Sequence, residues 1–147
     1  MPDQPHLQRA LDAYIDYYER LSARSIRLIE KLAVPGMQFR DPFNDVAGIE
    51  KVEAVLKKMF ADVTAPKFRV HDCAWGRDQR TAYIKWGFTA RMQNGSHLNI
   101  TGMSEICFND EGYVMAHIDY WDPAAAIYED LPLLGRAIRW VRNKISA

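Results

Sequence analysis

His117 and Asp119 stand two residues apart in the run Tyr113-Val114-Met115-Ala116-His117-Ile118-Asp119-Tyr120-Trp121. Side chains of a strand alternate between its faces, so Tyr113, Met115, His117, Asp119 and Trp121 are expected on one face. Val114, Ala116, Ile118 and Tyr120 then form the other, purely apolar face. An ionisable pair among large hydrophobes fits either a wet sheet face or the wall of a pocket. In a pocket, a carboxylate walled by Trp86, Phe88, Met115 and Trp121 loses solvation, and its proton affinity rises toward the range useful for general acid–base work. A second acid, Asp41, precedes Pro42 in Met37-Gln38-Phe39-Arg40-Asp41-Pro42-Phe43. Proline biases the preceding residue toward extended geometry, which would hold this carboxylate at a strand end. Asp-Pro is also a common turn opener.

The elements that must position these groups can be read from the apolar periodicity. Leu7, Leu11, Tyr14, Ile15, Tyr18 and Leu21 mark one stripe of a helix over residues 7–21, with Tyr17 at its edge, about 80° from Leu7. Three such close tyrosines suit core packing with hydroxyls bonded to polar partners. A shorter helix is expected over 23–33, ended by Pro35-Gly36, and a third over 49–61 with Ile49, Val52, Val55, Leu56, Met59 and Phe60 on one face. Strands follow over 67–75 and 80–92, the second burying Ala82, Ile84, Trp86, Phe88 and Ala90. Asn94-Gly95 turns the chain into a hairpin spanning 99–122, whose own turn is Asn109-Asp110-Glu111-Gly112. In its first strand Gly102, Ser104, Ile106 and Phe108 share a face. A short helix over 124–128 and a last one from Leu131, with Arg136, Arg139 and Arg142 on its wet side, complete an α+β plan.

Composition narrows the function classes. The chain has 147 residues, 48% of them apolar, with 19 basic side chains against 19 acidic. Residues 1–147 are read as one domain with a substantial core. The charge balance argues against nucleic-acid and membrane-surface roles, which normally draw on a basic excess. No apolar run could span a bilayer, and the first residues carry no secretory h-region. Cys73 and Cys107 lack metal-site spacing and are expected as free thiols in a reducing cytoplasm.

Three motifs carry a resemblance. Phe39-Arg40-Asp41-Pro42-Phe43, the turn Phe108-Asn109-Asp110-Glu111-Gly112-Tyr113-Val114, and His117-Ile118-Asp119-Tyr120-Trp121-Asp122, taken in order, resemble the superfamily of nuclear transport factor 2, ketosteroid isomerase and the SnoaL-like polyketide cyclases. The likeness covers residues from about 7 to 122. It implies a cone-shaped, mostly antiparallel curved sheet with the N-terminal helices in its concavity. It also implies a cofactor-independent isomerase or lyase acting on a small apolar carbonyl compound, with no metal. By this likeness Asp41 falls on the proton-shuttling base of the isomerases and Tyr17 on their oxyanion-hole tyrosine. Ser104 replaces their protonated aspartic acid, and Asp119 resembles the acid/base aspartate of the cyclases. The implied catalytic set is Asp41, Asp119, Tyr17 and His117, with Trp86, Phe88, Ser104, Met115 and Trp121 binding substrate. Asp119, as the drier acid, is expected to donate the proton and Asp41 to act as base.

Two rival readings share this fold. One is a limonene-epoxide-type hydrolase, which needs an Asp-Arg-Asp relay; Arg91 is the only arginine near the pocket, and its strand parity points away. The other is a non-catalytic ligand-binding or dimerisation module. A homodimer is expected in any case, because the apolar outer face of Val114, Ala116, Ile118 and Tyr120 needs a cover. The alternative cover is the last helix of the same chain through Leu134, Ile138 and Val141.

Overall fold

The computed structural model describes residues 3–126 and 132–146, with the side chains of 132–134 left aside. In chain order it comprises helix α1 (Pro5–Glu19), a 3-10 helix (Ile26–Lys31), strands β1 (Ala33–Arg40) and β2 (Asp45–Ala47), and helix α2 (Ile49–Asp62). Strands β3 (Val63–Trp75), β4 (Thr81–Met92), β5 (His97–Phe108) and β6 (Val114–Tyr120) follow, then helices α3 (Pro123–Ala126) and α4 (Pro132–Ile145). The six strands form one curved, unclosed sheet in the order β2-β1-β6-β5-β4-β3. All neighbours are antiparallel except β1 and β6. The α+β plan and its curved, mostly antiparallel sheet are as the sequence indicates.

The core lies between the sheet's inner face and the helices. Helix α1 buries Leu7, Leu11, Tyr14 and Tyr17, and α2 buries Val52, Glu53 and Leu56. Strand β4 contributes Ala82, Ile84, Trp86, Phe88 and Ala90, all buried, as alternation requires. Both hairpin turns rest on a left-handed glycine, Gly95 at φ 85° and Gly112 at φ 91°. Asn109 Oδ1 further accepts the amides of Glu111 and Tyr113 and closes the second turn.

Two expectations fail for identifiable reasons. Pro35-Gly36 does not stop a helix; it lies inside β1, where pairing with β6 is interrupted between Ala33 and Gln38. Proline, having no N–H, is tolerated at such a gap. In β6 the register slips by one residue: Phe108 pairs with Val114 but Cys107 pairs with Ala116. Met115 is the extra residue of a bulge, which reverses the alternation on its N-terminal side. Val114 therefore faces inward at 0% exposure, while Met115 is 42% exposed.

The outer sheet face keeps Tyr83, Met103, Met115 and Tyr120 exposed. Helix α4 does not bury its apolar stripe there, since Val141 is 48% and Ile145 80% exposed. Leu134 and the expected end of the short helix at Tyr128 lie outside the described side chains and residues, respectively.

Candidate active site

A cavity of about 530 Å³ opens between α2 and the inner face of the sheet. Its walls are apolar: Phe39 from β1, Leu56 and Met59 from α2, Phe68 from β3, Trp86 and Phe88 from β4, Ile100 from β5, and Trp121 just beyond β6. Polar groups occur at two places. Asp41 and Asn44, with Lys58 and Asp62, stand along its rim; Tyr18 and Asp119 mark its inner end. There it meets a chamber of about 30 Å³, which shares Tyr18, Phe68, Trp86 and Asp119 and is completed by Tyr14, Ser104 and His117, among others.

The inner end is a hydrogen-bonded chain of side chains. Trp86 Nε1 donates to Ser104 Oγ at 2.7 Å, and Ser104 Oγ donates to Asp119 Oδ1 at 2.5 Å. His117 Nε2 lies 2.7 Å from the same Oδ1, and His117 Nδ1 lies 2.8 Å from the hydroxyl of Tyr14. Opposite a carboxylate Nε2 carries a proton, and in the tautomer protonated only there Nδ1 accepts from the Tyr14 hydroxyl. Both ring nitrogens are then occupied. Ser104 and His117 are buried, and the Asp119 side chain is 16% exposed. Its Oδ1 receives two donors, and no hydrogen bond from the described residues reaches Oδ2.

Tyrosines dominate the helix side of this end. Burial pushes the phenols of Tyr14 and Tyr18 well above their ordinary range, and the charge of Asp119 adds to the shift in both. Both therefore remain protonated donors at neutral pH. The hydroxyl of Tyr14 is used by His117; that of Tyr18 is buried, faces the Tyr14 hydroxyl, and has no partner of good hydrogen-bond geometry among the described residues. A buried hydroxyl with so loose an internal partner keeps hydrogen-bonding capacity for a ligand.

Of the residues singled out from the sequence, Asp119, His117, Ser104 and Trp86 come together at the inner end, and Phe88 and Trp121 line the cavity. Three stand elsewhere. Tyr17 turns away from the cavity and donates to the Ile26 carbonyl at 2.8 Å, because it lies about 100° around the helix from Tyr18. Met115 is outside, owing to the bulge. Asp41 stands at the rim, but its carboxylate is filled by its own loop: Oδ1 accepts the amides of Phe43 and Asn44 at 2.8 and 2.7 Å, and Asn44 Nδ2 reaches both oxygens. Arg91 is exposed, and no arginine among the described residues lines the cavity. Sequence reasoning missed Tyr14, Tyr18, Phe39 and Phe68. The available signal was the i,i+4 spacing of Tyr14 and Tyr18, which stacks them on one helix face.

A curved sheet with helices packed over its inner face, leaving an apolar cavity with an acid and a phenol at its inner end, is an NTF2-like architecture. The model of the SnoaL-like domain matches residues 14–117, and the chain belongs to this family. No curated protein matches it. Solved structures share the fold at low identity. An assigned SnoaL-like polyketide cyclase from Jannaschia sp. CCS1 is 12% identical with a TM-score of 0.73, over 85% of this chain and 93% of that one. A steroid delta-isomerase from Pseudomonas aeruginosa is 21% identical with a TM-score of 0.64, over 100% and 99%. A LEH-like epoxide hydrolase from M. tuberculosis is 15% identical with a TM-score of 0.66, over 95% and 98%.

Among the described residues no cluster of His, Cys, Asp or Glu is arranged to hold a metal ion. No helix among them is long and apolar enough to cross a membrane.

Proposed function

We propose that the chain is a small enzyme that moves a proton on an apolar carbonyl compound, using its own side chains as base, acid and donor. The observation that carries this reading is the pairing of two unsatisfied groups at the inner end. Among the described residues Asp119 Oδ2 accepts no hydrogen bond, and the buried Tyr18 hydroxyl, which faces only loosely toward Tyr14, borders the same space. A ligand with an apolar body in the large cavity and its oxygen at the chamber satisfies both. Asp119 Oδ2 takes a proton from the carbon beside the carbonyl, the C–H electron pair becomes the enolate double bond, and the oxygen's new charge is met by Tyr18. Returning the proton to another carbon completes an isomerisation; attack of the enolate carbon on a second carbonyl of the ligand completes an aldol-type cyclisation. In this reading Asp119 takes the base role first expected of Asp41, and Tyr18 takes the donor role assigned by resemblance to Tyr17. His117 and Ser104 position Asp119, and Asp41 shapes the rim.

Exchange of α-hydrogens for deuterium in tetralone, followed by NMR in heavy water, tests the reading without knowledge of the natural substrate. Protein-dependent exchange that disappears in Asp119→Asn, with the fold retained, supports it. Tight binding of apolar ketones with no exchange would favour a binding-only module.

We further propose that residues 1–147 act as a single-domain cytoplasmic protein and pair through the outer sheet face. The free thiols Cys73 and Cys107 and the exposed side chains of Met103, Met115 and Tyr120 support this.

A further inference from the structure

We propose that Gly102 and Trp86 are positioning residues: together they fix the plane of the Asp119 carboxylate, with one oxygen clamped and the other left toward the cavity. The inference rests on the reading of Asp119 as the proton carrier. Trp86 pairs across the sheet with Gly102. The indole lies over that glycine so closely that a Cβ at 102 would stand 2.5 Å from Trp86 Cζ2, 2.6 Å from Cη2 and 3.1 Å from Trp121 Cβ. Real side chains do not approach so near, so only glycine lets the indole cross β5 here. The crossing brings Nε1 to Ser104, two residues along the same strand face.

The chemistry of the indole then sets direction. Its N–H can only donate, so the Ser104 oxygen must accept and its own hydrogen must go elsewhere. That hydrogen goes to Asp119 Oδ1, which His117 Nε2 engages from the other side. Two donors on one oxygen hold the carboxylate plane and leave Oδ2 toward the ligand. A serine without the indole could turn its hydroxyl either way, and the carboxylate could swing between orientations.

The test is the indole N–H of Trp86, observed by NMR in the ligand-free protein. In Gly102→Ala the indole is expected to swing into the adjoining cavity. Its N–H should then exchange with solvent about tenfold faster or more, while Trp75, bonded to Gln8 Oε1, stays unchanged. Trp86→Phe removes the donor without adding a Cβ and decides the matter if Gly102→Ala does not fold. In both variants kcat for tetralone exchange should fall about tenfold, and KM should rise as well because Trp86 also lines the cavity. Unaltered Trp86 protection in Gly102→Ala, or an unaltered kcat in Trp86→Phe, overturns the proposal. Should the parent protein exchange no ketone, the functional reading fails, and the indole measurement still decides whether Gly102 seats Trp86.

Discussion

Asp119 and Asp41 are the same chemical group at two ends of one cavity, and their surroundings divide them. Asp41 follows a strand and precedes a proline, so its carboxylate meets the amides of its own loop, and both oxygens are engaged within three residues of sequence. Asp119 sits in a strand whose backbone is spent on sheet pairing. One partner, His117, stands two residues back on the same strand face and the other, Ser104, directly across on β5, and they load one oxygen only. A carboxylate's value to a ligand depends on the acceptor capacity left over, not on its presence at a cavity.

The strongest way to break this contrast is to mutate both acids. Asp119→Asn should lower ketone exchange by about 1000-fold with little change in melting temperature. Asp41→Ala should leave exchange within a few-fold, and calorimetry should show about 1–3 kcal/mol lost from the orphaned loop amides. A large activity loss in Asp41→Ala with normal stability would restore Asp41 as the base.

The tyrosines sharpen the contrast from the donor side. Tyr18→Phe should cost about 100-fold in kcat, because it removes the hydroxyl that meets the ligand oxygen in this reading. Tyr17→Phe should leave kcat unchanged and lower stability, since its hydroxyl serves the Ile26 carbonyl. The reverse result would reinstate the residue suggested by resemblance.

On the opposite face of the sheet, Tyr120→Lys should weaken self-association about 30-fold or more by sedimentation, with exchange in the remaining monomer preserved. A parent protein that is monomeric at micromolar concentration would contradict the dimer.

The smallest effect concerns a third carboxylate, Glu53, which is 6% exposed and has Oε1 without a partner. Burial raises its proton affinity, and the neighbouring Glu30 raises it further. A raised folded-state value means that the associated stability is present below the unfolded glutamate value, about 4.3, and is lost as pH rises through the folded value. Glu53→Gln should therefore melt higher than the parent near neutral pH, with the difference closing in acid. An advantage that persists unchanged below pH about 4 would rule out ionisation as its source.

How much of this was legible in the sequence varies along the chain. Alternation in β4 and β5 located Trp86, Phe88 and Ser104 on the inner face, because those strands run without interruption past the site. The same rule placed His117 and Asp119 correctly but misplaced Met115, since nothing in the residue types signals the bulge at that point. Pro35-Gly36 reads as a helix stop by local chemistry, and only the interrupted partner strand shows how both fit a strand. The tyrosines fan across about 100° of one helix, and sequence alone does not tell which edge meets the sheet. Within the clamp on Asp119 the His117 contact is local and was legible as a pair, whereas the bonds from Trp86 on β4 to Ser104 on β5 and from Ser104 to Asp119 are long-range and leave no local pattern.

The central claim is that a ligand's oxygen belongs at the inner end, between Tyr18 and Asp119. A crystal structure with naphthol bound tests it most directly. The account predicts the naphthol oxygen within hydrogen-bonding distance of both the Tyr18 hydroxyl and Asp119 Oδ2, with the rings against Trp86 and Phe88. A naphthol oxygen bound instead at Asp41 and Asn44 on the rim, with Tyr18 still unpartnered, would contradict it.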